Sequence, residues 1–195
     1  MLNKIKKYMM QKWINGPRHW MSINDSLDKT ERIIDNPALR ETALYRHNEF
    51  RKCKTEQQCI DFLLRFKKYK ADKWYYDVSP SYLVALTYDD DCDSYAELEA
   101  RFLGQLYKGE IKRMAFYHPK YIAHVIGYIK TKDEHIIFDY GTILHSKDLS
   151  TIKRYYIDHY VKPKYEKNKN KYKVSDVILT TVPEVKTPRG ILPGV

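Results

Sequence analysis

Two hydrophobic periods divide this chain, and the change falls near Gly109. Upstream, apolar residues recur three and four apart, as on one face of a helix; downstream they alternate or run in short blocks, as in strands. Met1 to Trp13 sets Leu2, Ile5, Met9 and Trp13 on one side with Lys4, Lys6, Lys7 and Lys12 around them. That pattern predicts a short basic amphipathic helix, which Asn15-Gly16-Pro17 breaks. Residues 25 to 50 read as one or two polar helices interrupted at Asn36-Pro37. Thr55 and Gln58 form a capping box, after which Cys59, Phe62, Leu63 and Phe66 make an apolar face. Ser79-Pro80 signals the next start, with Tyr82, Leu83 and Leu86 facing inward, and that helix ends in the acidic run Asp89 to Asp91. A further helix is expected from about Cys92 to Lys108, with Tyr95, Leu98, Phe102 and Leu106 buried and Gly109 as its stop.

Ile111 to Tyr117, Ile122 to Ile129 and Ile136 to Asp139 read as strands, the last two joined by the polar tetrad Thr131-Lys132-Asp133-Glu134. Leu149 to Val161 looks helical, Lys162 to Lys173 is a basic loop, and Val174 to Val182 is a final strand. Helices first and an antiparallel sheet second predict an α+β fold. The expected organisation is a helical N-terminal appendage over 1–50, a core over 51–182 and an extended, proline-containing tail over 183–195.

Composition narrows the picture. A chain of 195 residues can bury one ordinary core without staples. Its three cysteines, Cys53, Cys59 and Cys92, are odd in number and form no C-x-x-C pair, which argues against a disulfide framework or a zinc ribbon. No apolar run approaches the roughly 18 residues of a membrane span, and the basic N-terminus lacks a secretory h-region. A reduced, soluble, cytoplasmic setting is therefore expected. The formal charge of +10 favours anionic partners: nucleic acid, acidic protein or a phospholipid surface. An AT-rich genome would impose the same wealth of Lys, Tyr, Ile and Asn through its codons.

The chemistry concentrates in three residues. Cys92 opens a predicted helix, where unpaired N–H groups and the helix dipole favour a thiolate, while Asp89, Asp90 and Asp91 oppose one. His124 starts the apolar stretch Val125-Ile126-Gly127-Tyr128-Ile129, and Asp139 ends the next strand. A turn around 131–134 makes His124 and Asp139 cross-strand neighbours, the arrangement a base and its orienting carboxylate need. Cys92, His124 and Asp139 thus have the order and spacing of a nucleophilic triad. The bland alternative is an inert thiol and a structural His–carboxylate pair. His118 precedes a proline and His135 is expected in the strand interior near the turn, so both fit the role less well. The oxyanion would be held by the Cys92 N–H and a second donor, for which Trp74 and Tyr88 are the candidates. Asp89, Asp91 and Asp93 have the 1-3-5 spacing of a calcium loop but lack its glycine and its final glutamate.

The run Asp91-Cys92-Asp93-Ser94-Tyr95-Ala96, then Leu98 and Arg101-Phe102-Leu103, resembles the nucleophile helix of the bacterial transglutaminase-like cysteine proteinases. His124-Val125-Ile126-Gly127-Tyr128 is similar to the family's His-Ala-Val strand, and Phe138-Asp139 to its Leu-Asp. Trp74-Tyr75-Tyr76-Asp77 followed by Ser79-Pro80 also looks similar, so the resemblance spans roughly residues 55 to 140. It implies a papain-like α+β fold, with the nucleophile helix packed on an antiparallel sheet, and thiol chemistry on peptide or isopeptide acyl groups. Some members bind calcium beside the cysteine, which the resemblance places on Asp91 and Asp93. The chain departs from the pattern at Asp90, where the family has Gly, at Ser94, where it has an acidic residue, and at Tyr140, where an Asn is common.

Two functions compete at this point. One is a thiol hydrolase or acyl transferase acting on a protein or peptide through Cys92, His124 and Asp139. The other is a structural or assembly protein, such as one of a phage virion, that keeps the fold with catalysis lost or incidental. Its basic N-terminal helix, its Lys162-Pro163-Lys164-Tyr165-Glu166-Lys167 loop and its C-terminal tail would then bind protein partners. Nucleic acid ranks third, resting on Tyr interleaved with Lys from 155 to 173.

Overall fold

The structure, a computed structural model, describes residues 17–70, 81–89, 91–118, 121–161, 163, 173–182 and 191–193. The expected helix over residues 1–13, the Ser79-Pro80 start signal, Trp74, and most of the basic loop and the tail lie outside them. Among the described residues the chain is α+β, and no helix is long and apolar enough to cross a membrane.

Local chemistry accounts for the helices. Helices α1 (Pro17–Asp35) and α2 (Pro37–Lys52) meet at Asn36, whose side chain accepts the amides of Ala38 and Leu39 while Pro37 takes a position that needs no N–H. Helix α3 (Glu56–Phe66) is capped by Thr55 on the Gln58 amide. Gln58 returns a bond to the Lys54 amide, one residue before the amide that a reciprocal capping box uses. Helix α4 (Tyr82–Thr87) starts at Ser81 and is buried along its whole length. A buried helix end needs partners for its carbonyls. Lys67 Nζ donates to the Ala85 and Tyr88 oxygens, and Arg46 Nη1 to those of Leu86 and Thr87. Helix α5 (Cys92–Leu106) stops at an extended Tyr107, before Gly109, so the glycine is not its cap.

Five strands follow: β1 (Glu110–His118), β2 (Tyr121–Lys130), β3 (His135–Asp139), β4 (Thr142–Ser146) and β5 (Ile178–Thr181). They form one antiparallel sheet in the order β4-β3-β2-β1-β5. β4 is unforeseen by the alternation pattern. It returns through a two-residue turn in which Tyr140 (φ 45°) and Gly141 (φ 91°) both take positive φ, as the tightest hairpins require. Helix α6 (Leu149–Tyr156) continues into one π-helical turn, Ile157–Val161, and a 3₁₀ turn, Val174–Asp176, precedes β5.

The sheet is covered on both faces. On one, Leu98, Phe102 and Leu103 of α5 join Phe138, Ile129 and Ile136. Helices α1 to α4 extend that core: Ile33, Ala43 and Phe50 lie in it, and Phe50 stacks on Phe102 at 4.0 Å between centroids. Residues that read as an N-terminal appendage thus pack into the main core. The Ser26 hydroxyl accepts the Ser81 amide, and Thr30 Oγ1 lies 2.9 Å from Ser81 Oγ, which ties α1 to the start of α4. Leu192 of the tail is 2% exposed in the same core, and the Pro193 carbonyl lies 3.1 Å from His47 Nε2. On the other face, Ile152, Tyr156, Ile157 and Val161 cover Phe116, Ile126, Tyr128 and Ile137.

Candidate active site

Cys92 occupies the first position of α5, behind the N-cap Asp91. Asp91 Oδ1 accepts the Asp93 amide and Asp93 Oδ1 accepts the Ser94 amide at 2.7 Å. Cys92 thus lies in the first turn of α5, where backbone N–H groups have no partner within the helix. The thiol packs with Ala96, Ala115, Val125 and Val182, which brings the helix start against β2. Burial pushes the Cys92 thiol well above its usual range, and the charges of Asp91 and Asp93 push it further. The Val125 amide beside it pulls the other way and does not outweigh them. At neutral pH the resting group is a thiol rather than a thiolate.

The close approach of α5 to β2 depends on Gly127. An added Cβ there would stand 2.6 Å from the Ala100 nitrogen and 2.6 Å from Glu99 Cβ. Glu99, on the inner side of α5, accepts the Gly127 amide at 3.3 Å and the Tyr140 amide at 2.7 Å. It therefore clamps both β2 and the positive-φ residue of the β3–β4 turn. Burial and the neighbouring Asp139 raise the Glu99 carboxyl well above its usual range, against the pull of those two amides.

His124 precedes Val125 on β2. Alternation sends it to the opposite face, with Ile126 and Tyr128, under α6 and its π turn. There Nε2 lies 2.8 Å from Asp139 Oδ1, with His124 6% and Asp139 2% exposed. The rungs pair Gly127 with Phe138, so the two side chains meet as diagonal cross-strand neighbours rather than directly opposite. The other carboxylate oxygen, Oδ2, accepts the hydroxyls of Tyr160 at 2.7 Å and Tyr155 at 3.1 Å. Tyr160 also stacks on the imidazole at 4.0 Å and 26°, and Tyr140 lies 5.4 Å away on a tilted plane.

The structure thus joins His124 to Asp139 and sets Cys92 against the residue that follows His124. No hydrogen bond links the Cys92 sulfur to the His124 ring among the described residues. Tyr88 caps α4, donating its N–H to the Val84 carbonyl, and its own carbonyl accepts Lys67. Trp74 lies outside the described residues. Among the described residues no group of three or more His, Cys, Asp or Glu side chains is placed to hold a metal ion. Asp91 Oδ1 and Asp93 Oδ1 each accept a backbone amide of the helix start. Cys53 and Cys59 are buried, and burial pushes Cys59 up to about 12.

Sequence reasoning missed Glu99, Tyr155 and Tyr160. Glu99 carried a signal, since it stands at a position where the α5 stripe faces inward. Tyr155 and Tyr160 carried none, because five residues span about 140° too much of an α-helix to share a face, and only the π turn brings them together. No family model, no curated protein and no solved structure matches this chain.

Proposed function

We propose that this chain is a transglutaminase-like thiol hydrolase or acyl transferase acting on peptide or isopeptide bonds. The observation that carries the reading is the buried His124–Asp139 pair, held on the strand that Cys92 packs against; catalysis requires the imidazole to reach the sulfur across the end of β2. A nucleophile helix laid on an antiparallel sheet supports the papain-like version of the α+β fold. With Asp139 as a carboxylate, Nε2 donates and Nδ1 carries the lone pair that would take a proton. Because the resting thiol is protonated, His124 has to remove its proton as the sulfur attacks. The new C–S bond forms as the carbonyl oxygen takes the negative charge, held by the Cys92 N–H. The C–N bond then breaks, the amine leaving with the proton from His124, and water or a second amine releases the thioester by the reverse sequence.

The test is a hydroxylamine trap. Incubation with a panel of peptides and isopeptides plus hydroxylamine should yield acyl hydroxamates that Cys92→Ala abolishes. Hydroxamate formation that survives Cys92→Ala, or none from any substrate beside a working control protease, would refute the reading. The rival, an assembly protein of cytoplasm or virion that retains the fold, is favoured by one observation. The thiol is held protonated and makes no hydrogen bond to the ring.

A further inference from the structure

We propose that Tyr160, assisted by Tyr155, is a positioning residue that sets which nitrogen of His124 carries the proton. The inference rests on the thiol reading above for its purpose, but its geometry stands alone. Both phenols converge on Asp139 Oδ2, at 2.7 and 3.1 Å, and His124 Nε2 meets Oδ1 at 2.8 Å. A carboxylate whose one oxygen is fixed by two hydroxyls cannot rotate about its terminal bond without breaking both, so Oδ1 stays aimed at Nε2. The Tyr160 ring lies against the imidazole at 4.0 Å and 26°, which hinders the ring flip that would exchange Nε2 for Nδ1.

The backbone is built to deliver this pair. Tyr155 lies in α6 and Tyr160 in the π turn Ile157–Val161, a widening of the helix that brings residues five apart onto one face. Single π turns recur at functional sites because they re-aim one side chain at some loss of helix regularity. Stacking of Tyr156 on Phe116 (4.8 Å, 7°) and burial of Ile157 and Val161 anchor the turn to the sheet on either side of Tyr160. Burial, then the Asp139 charge, raises both phenols well above the usual range, so they remain donors at any pH the protein experiences.

The experiment uses the full chain labelled with ¹⁵N-histidine and compares it with Tyr160→Phe, Tyr155→Phe and the double variant. Each keeps the ring and removes only the hydroxyl. The ring ¹⁵N shifts report the tautomer, and the Nε2–H proton reports solvent exchange. Tyr160→Phe should speed exchange of the His124 Nε2–H at least tenfold and show both tautomers. Tyr155→Phe, with the longer bond, should do less and the double variant more. A single unchanged tautomer with unchanged exchange in the double variant would overturn the proposal, even if melting temperature fell. Should Tyr160→Phe fail to fold, Tyr155→Phe carries the same readout, with unchanged exchange refuting the proposal. Alkylation of Cys92 separates the two claims. Labelling that needs His124 but ignores both tyrosines refutes the positioning role and leaves thiol chemistry standing. A tautomer that needs Tyr160, in a protein whose Cys92 stays inert, supports the positioning role and removes the thiol reading.

Discussion

His124 and His145 each hold a carboxylate at close range, 2.8 Å to Asp139 in one case and 2.7 Å to Glu56 in the other. Their surroundings make them different devices. The first pair is 8% and 1% exposed in its side chains and roofed by Tyr160; the second is 38% and 40% exposed at the sheet edge. His145 is shared with Glu134 at 3.2 Å, and Glu56 also accepts the Tyr107 hydroxyl. Water can replace any partner of the edge cluster, whereas nothing can replace a partner lost under the π turn. Equal distances therefore carry unequal energies, and the buried pair is the one able to direct a proton.

Removing each carboxylate breaks or sharpens that contrast most strongly. Asp139→Ala leaves His124, Tyr155 and Tyr160 without their acceptor and should cost about 3 kcal/mol in a urea titration. Glu56→Ala should cost less than about 1 kcal/mol. Equal losses would show that burial makes no energetic difference here.

Next in size is the packing that holds β2 and Cys92 together. Gly127→Ala forces a methyl to 2.6 Å from the α5 backbone and should destabilise by about 2 kcal/mol. A neutral result would mean that α5 does not lie as close to β2 as described.

The smallest effect is the pH response of the edge cluster. Burial pulls His145 down, but its bonds to Glu56 and Glu134 outweigh this and raise it. A raised histidine stabilises the fold fully below the unfolded value of about 6.5, and that contribution is lost as pH rises through the folded value. His145→Gln should then cost less than about 1 kcal/mol at pH 5, nothing at pH 9, and little at either pH in 1 M salt. A cost that grows with pH would reverse the assignment.

What the sequence made legible were features with local causes. Asn36-Pro37 and Thr55 act through bonds within three residues, so composition alone located them. Cys92 at a helix start, and His124 and Asp139 on adjacent strands, followed from period and turn spacing. β4 was missed because Tyr140-Gly141 puts tyrosine, rather than Asn or Asp, at the first positive-φ position of the turn. Tyr155 and Tyr160 read as part of a basic aromatic surface for nucleic acid, yet their hydroxyls turn inward onto Asp139. Long-range partners of that kind depend on a π turn that no residue pattern announces.

The central claim, that His124 primes Cys92, is tested most directly by iodoacetamide labelling at pH 7 with each cysteine counted by mass spectrometry. Burial and aspartates hold the Cys92 thiol protonated, so reactivity at that pH requires a base, the role the proposed function gives to His124. The account predicts that Cys92 labels well ahead of buried Cys53 and Cys59, and that His124→Ala slows it at least tenfold without changing the other two. Cys92 labelling at the same rate with and without His124 would contradict it.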